Sequence, residues 1–143
     1  MKRLSIMSKD LLCKKESFIG GGIYIMWNIS NTFRLAVNAN KNRIRNILMK
    51  RYRELSELPV NSKRFILNNN NIELNYNEDF DKAMSISEED AYLYYEYNMD
   101  FYPKEKELSL EVQIAFAKEL AEIFRGSGVE VEIISEFEHL LDD

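Results

Sequence analysis

Hydrophobic and polar residues alternate between Trp27 and Val37. Trp27, Ile29, Phe33, Leu35 and Val37 fall on one side; Asn28, Ser30, Thr32, Arg34 and Ala36 fall on the other. A period of two predicts a strand with one buried face. Asn31 interrupts the apolar side. The period then changes. Ile44, Ile47, Leu48, Tyr52 and Leu55 recur at helical spacing, which predicts an amphipathic helix over residues 41–56 with Asn40 as its cap and Pro59 beyond its end.

Arg64–Leu67 is a short extended stretch, and the asparagine run from Asn68 to Asn71 reads as a turn or bulge. Ile72, Leu74 and Tyr76 alternate with Glu73, Asn75 and Asn77, a second strand. Residues 78–89 are acidic and unpatterned. They read as a long connection with one helical turn around Phe80–Met84; such length is uncommon without a purpose. Ala91–Tyr102 has the strongest strand composition, and Pro103 closes it.

Ser109 caps a second predicted helix, with Glu111 in its first turn. Ile114, Ala117, Ala121 and Phe124 form its stripe, widened by Phe116, Leu120 and Ile123. Gly126 and Gly128 supply the stop. Val129, Val131 and Ile133 alternate with Glu130, Glu132 and Ile134 in a fourth strand. Phe137–Leu141 forms a closing turn. The order strand, helix, strand, strand, helix, strand predicts an α+β domain of ferredoxin-like βαββαβ type. Right-handed crossovers put both helices on one face of a four-stranded antiparallel sheet of order 4-1-3-2. This reading rests on element order; the sequence carries no family motif.

The domain spans residues 26–143. Residues 1–25 read as a flexible or non-native leader. Gly20-Gly21-Gly22 and a short spacer precede Met26, as a purine-rich ribosome-binding sequence would if it were translated, so Met26 is the expected start.

Charge changes the picture more than composition does. Residues 1–72 hold 14 Lys and Arg against 4 Asp and Glu; residues 73–143 hold 5 against 20. Summed charge of this kind steers association and says little about fold. The lone cysteine, Cys13, has no internal partner, and no apolar run is long enough to span a membrane, so the expected compartment is the cytoplasm.

The polar positions of the strands define an open sheet face. It is expected to carry Ser30, Thr32, Arg34, Glu73, Asn75, Asn77, Tyr92, Tyr94, Glu96, Asn98, Asp100, Glu130 and Glu132. Aromatics are present there and cations are scarce, which disfavours nucleic acid on this face. Tyrosine beside carboxylates suits a protein interface. The acidic loop adds Glu78, Asp79, Asp81, Glu88, Glu89 and Asp90. It lacks the alternating acids and the glycine of a calcium loop. A basic face on the first helix, with Lys41, Arg43, Arg45, Lys50, Arg51 and Arg53, is the alternative contact for nucleic acid.

Catalysis finds no constellation. His139 is the single histidine, and a base or metal ligand needs partners. No glycine-rich phosphate loop is present. Neither a cofactor nor a metal is expected. The sequence therefore points to a non-enzymatic binding protein. Its most concrete form is a small acidic inhibitor, of the immunity or anti-defence type carried by bacteria, phages and mobile elements. Its partner would be a basic protein such as a nuclease. The expected contacts are Tyr92, Tyr94, Glu96, Asp100, Glu130 and Glu132 with the 78–90 loop. Competing readings are a regulatory small-molecule-binding domain that dimerises and a nucleic-acid binder using the first helix.

Overall fold

The structure, a computed structural model, describes residues 12–19, 22–59, 62–87, 89–104 and 108–141. Among them, the chain forms one mixed α+β unit around a five-stranded antiparallel sheet, together with a separate two-stranded hairpin. The hairpin is β1 (Leu12–Ile19) and β2 (Gly22–Ile29), paired from Leu12↔Ile29 to Ile19↔Gly22. Part of the segment read as a leader is thus paired strand, while Gly20 and Gly21 lie outside the described residues. The main sheet holds β3 (Phe33–Val37), β4 (Arg64–Leu67), β5 (Asn70–Tyr76), β6 (Tyr97–Pro103) and β7 (Val131–Ile134) in the order β4-β5-β6-β3-β7.

The expectation of four strands is corrected to five, and the expected first strand is divided. Asn31 explains the division. Its side chain donates to the carbonyl of Leu108, and its own carbonyl accepts from Gln113 Nε2 at 2.9 Å. Those bonds draw the backbone out of strand pairing between β2 and β3. The added strand, β4, is joined to β5 by Asn68-Asn69, which adopt φ of +48° and +60°. Two successive positive φ values make the tight hairpin turn that matches strand twist, and asparagine tolerates them.

Helix α1 covers Lys41–Arg51, capped by Asn40, whose side chain accepts from the Arg43 N–H. It is shorter than expected: a 3-10 turn takes over at Arg53–Glu57. Helix α2 is one turn, Met84–Ser87. Helix α3 runs Leu110–Gly126 from a Ser109 cap. Gly128, at φ +80°, ends it. The Val129 N–H returns to the Phe124 carbonyl and the Gly128 N–H to that of Arg125, so orphan carbonyls of the last turn are satisfied.

Phe33, Leu35 and Val37 of β3, Ile72 and Leu74 of β5, and Met99 and Phe101 of β6 share one core with α1 and α3. Phe33 and Phe101 are directly paired across β3 and β6, with rings stacked at 4.3 Å. Phe116 of α3 meets both edge-on. At the seam between β5 and α3 sits a buried amide pair. Asn70 Nδ2 donates to Gln113 Oε1 at 3.0 Å and Gln113 Nε2 to Asn70 Oδ1 at 2.8 Å. Their second protons go to the carbonyls of Asn68 and Asn31. All four amide protons are used, which buried polar groups require.

Candidate functional site: an acidic end and a neutralised face

The opposite sheet face is where the expected contacts fall, and the structure divides them. A row crosses four strands in register: Arg64 on β4, Glu73 on β5, Asp100 on β6 and Arg34 on β3. Arg34 grips Asp100 with two bonds, Nε to Oδ1 at 2.6 Å and a terminal nitrogen to Oδ2 at 3.2 Å. Arg64 Nε donates to Glu73 at 2.9 Å. Glu73 and Asp100 would repel as directly opposed carboxylates. Asn75 separates them, its amide donating to Glu73 Oε1 at 3.0 Å and Asp100 Oδ2 at 3.2 Å. The bonds from Asn75 and Arg64 hold the Glu73 carboxyl below the usual range. The row is electrically balanced, and Asp100 is only 3% exposed. Asp100 is thus an internal ion-pair partner of Arg34 and offers little open surface.

Tyr92 and Tyr94 are corrected in position. The expected strand over Ala91–Tyr102 begins only at Tyr97; Ala91–Tyr94 is a 3-10 turn. Ala91 and Tyr92 fold back against Ala36, Tyr95 and Ile134, covering the β3–β7 half of the face. The β4–β5–β6 half stays open, with Ile66 and Tyr102 prominent on it.

The remaining acids gather at one end of the sheet. The described residues of 77–96 form an insertion between β5 and β6 whose order comes from its own polar groups. The Asn77 side chain donates to the carbonyls of Leu93 and Tyr95 at 2.9 and 2.7 Å. The Asp81 carboxylate caps α2 by accepting from the N–H groups of Ala83 and Met84. Asn38, just past β3, links the insertion to Glu130, the residue before β7: its amide donates to Ser85 Oγ at 3.4 Å and to Glu130 Oε1 at 3.2 Å. Tyr95 lies in the same place, its phenol pushed up first by burial and then by the charges of Glu130 and Glu132. So the structure brings Glu130 and Glu132 together with the insertion. Glu78, Asp79, Asp81, Glu89 and Glu130 are exposed, whereas Glu96, Asp90 and Tyr94 are half-buried. Glu88 lies outside the described residues.

Asn38 and Tyr95 were missed by sequence reasoning, and Asn77, expected on the open sheet face, instead organises the insertion. The signal available was Asn77-Glu78-Asp79, an asparagine two residues before an amide it can accept from; Asp79 N–H does donate to Asn77 Oδ1 at 3.0 Å.

The basic face of α1 is largely engaged by the chain itself. Arg43 donates to the Ser127 carbonyl at 2.8 Å, Arg45 to that of Leu58, and Arg51 lies 3.6 Å from Glu119. Lys50 and Arg53 are exposed, and Lys41 is half-buried. His139 is exposed on a closing 3-10 turn, Glu138–Leu140. Among the described residues no helix is long and apolar enough to cross a membrane. Comparison with family models, curated proteins and solved structures yields no match for this chain.

Proposed function

We propose that this is a non-enzymatic binding protein whose acidic end occupies a basic, nucleic-acid-binding surface of a partner protein in the cytoplasm. It would act as an inhibitor of the immunity or anti-defence kind. The observation that carries this reading is Asn38 bonded to both Ser85 and Glu130, which sets two acidic segments side by side. A carboxylate array on a fixed scaffold presents to lysine and arginine what a phosphate backbone presents. It accelerates encounter through its field and blocks the site once seated. The engagement of Arg43, Arg45 and Arg51 with the chain's own groups weighs against the alternative of nucleic acid on α1.

We read the sheet as a ferredoxin-like arrangement with one added edge strand. Leaving β4 aside, the order is β7-β3-β6-β5, all antiparallel. A face covered partly by the 91–94 turn is then a local elaboration of that plan.

The test is association with a basic nuclease or nucleic-acid-handling protein at two salt concentrations. The on-rate should fall steeply with salt. Glu78, Asp79 and Glu130 changed to Lys should abolish binding, while Lys50→Glu with Arg53→Glu should not weaken it. Loss of binding confined to the α1 variant would reject the acidic end as the site.

A further inference from the structure

Resting on that reading, we infer that the insertion docks through apolar anchors as well as charge. Ile86 and Leu93 would enter an apolar floor flanked by lysine and arginine, as in a groove that binds single-stranded nucleic acid.

The two short turns of the insertion, α2 and Ala91–Tyr94, pack on each other. Ala91 and Tyr92 of the second turn meet the sheet. Ile86 and Leu93 stand on the same two turns and stay 73% and 46% exposed. Single exposed apolar residues are ordinary. Here two lie on one ordered knob, within a segment that carries seven acids and one lysine over residues 77–96. That charge selects a cationic partner. The knob is preorganised by Asn77 and by the Asp81 cap, so little ordering entropy is lost on docking.

Charge alone gives fast, salt-labile encounter; buried apolar anchors slow release. Single-strand grooves combine an aromatic floor for bases with a basic track for phosphates. Carboxylates such as Glu78, Asp79 and Glu89 would take the phosphate positions, and Ile86 with Leu93 the place of a base.

The full chain should be titrated with two fluorescent peptides of equal length and charge, one of Lys and Phe, one of Lys and Ser. The Lys–Phe peptide should bind about tenfold more tightly. Ile86→Ser with Leu93→Ser should erase that margin and leave Lys–Ser binding unchanged. Both residues are surface-exposed, so an unchanged melting temperature verifies the fold. Equal affinity for the two peptides, or a margin that survives the double variant, overturns the anchor inference and leaves the acidic reading intact. Absence of binding to both peptides overturns the acidic reading and the inference with it.

Discussion

The Arg34–Asp100 pair has a specific energetic signature. Removing Arg34 leaves the buried Asp100 carboxylate with the Asn75 amide and, among the described residues, no cation beside it. Arg34→Met should therefore destabilise by about 3–5 kcal/mol in denaturant unfolding, and Arg34→Met with Asp100→Leu should recover most of that loss. A second residue behaves in the opposite sense. Glu136 is buried, with one carboxylate oxygen lacking a partner among the described residues and the other taking only a 3.4 Å bond from the Ser30 N–H. Burial pushes its carboxyl up. The folded chain then binds that proton more tightly than the unfolded chain, so stability falls as pH rises from the unfolded value through the folded one. Glu136→Gln should raise the melting temperature at about pH 7 and lose its advantage at about pH 3, where both states are protonated. The alternation of β3, β5 and β6 put Arg34, Glu73 and Asp100 on one face. Their alignment in a single row was not legible, because register depends on turn lengths that periodicity does not report.

Elements differ in how openly the chain announces them. Both long helices start at caps visible in the sequence, Asn40 and Ser109, and α3 stops at Gly128 where a positive φ is required. β4 was visible as an extended stretch before an asparagine run read as a turn or bulge; that Asn68-Asn69 alone joins two paired strands was not read. Asn69→Val should cost about 1–2 kcal/mol, because a β-branched residue resists the left-handed region. Asn69→Gly should be tolerated, and thermal unfolding of the two variants separates the cases. The residues Ala91–Tyr95 have strand composition and do not form a strand. Local propensity lost to tertiary bonding: Asn77 takes the carbonyls of Leu93 and Tyr95, and Tyr92 packs back on the sheet.

At the scale of the molecule, the core, among the residues whose burial is described, is built between Phe33 and Leu141. A chain shortened to 26–143 loses β1 and should keep a single cooperative transition. Its stability should change by less than the roughly 2–5 kcal/mol expected for Leu35→Ala, measured in the same denaturant series. Helix composition and charge asymmetry were legible along the sequence. The meeting of the insertion with Glu130 was not, since it depends on Asn38 reaching two elements far away in the chain. The placement of β3 has one more consequence. It is the second strand from the sheet's edge, yet it is the first of the five in the chain. Its partners are β6, some 66 residues on, and β7, about 100 residues on. Such non-local pairing slows folding. During synthesis β3 emerges early and stays an unsatisfied template on both edges until β6 and β7 arrive, so a chaperone or a neighbouring nascent chain meets this strand before its own sheet does.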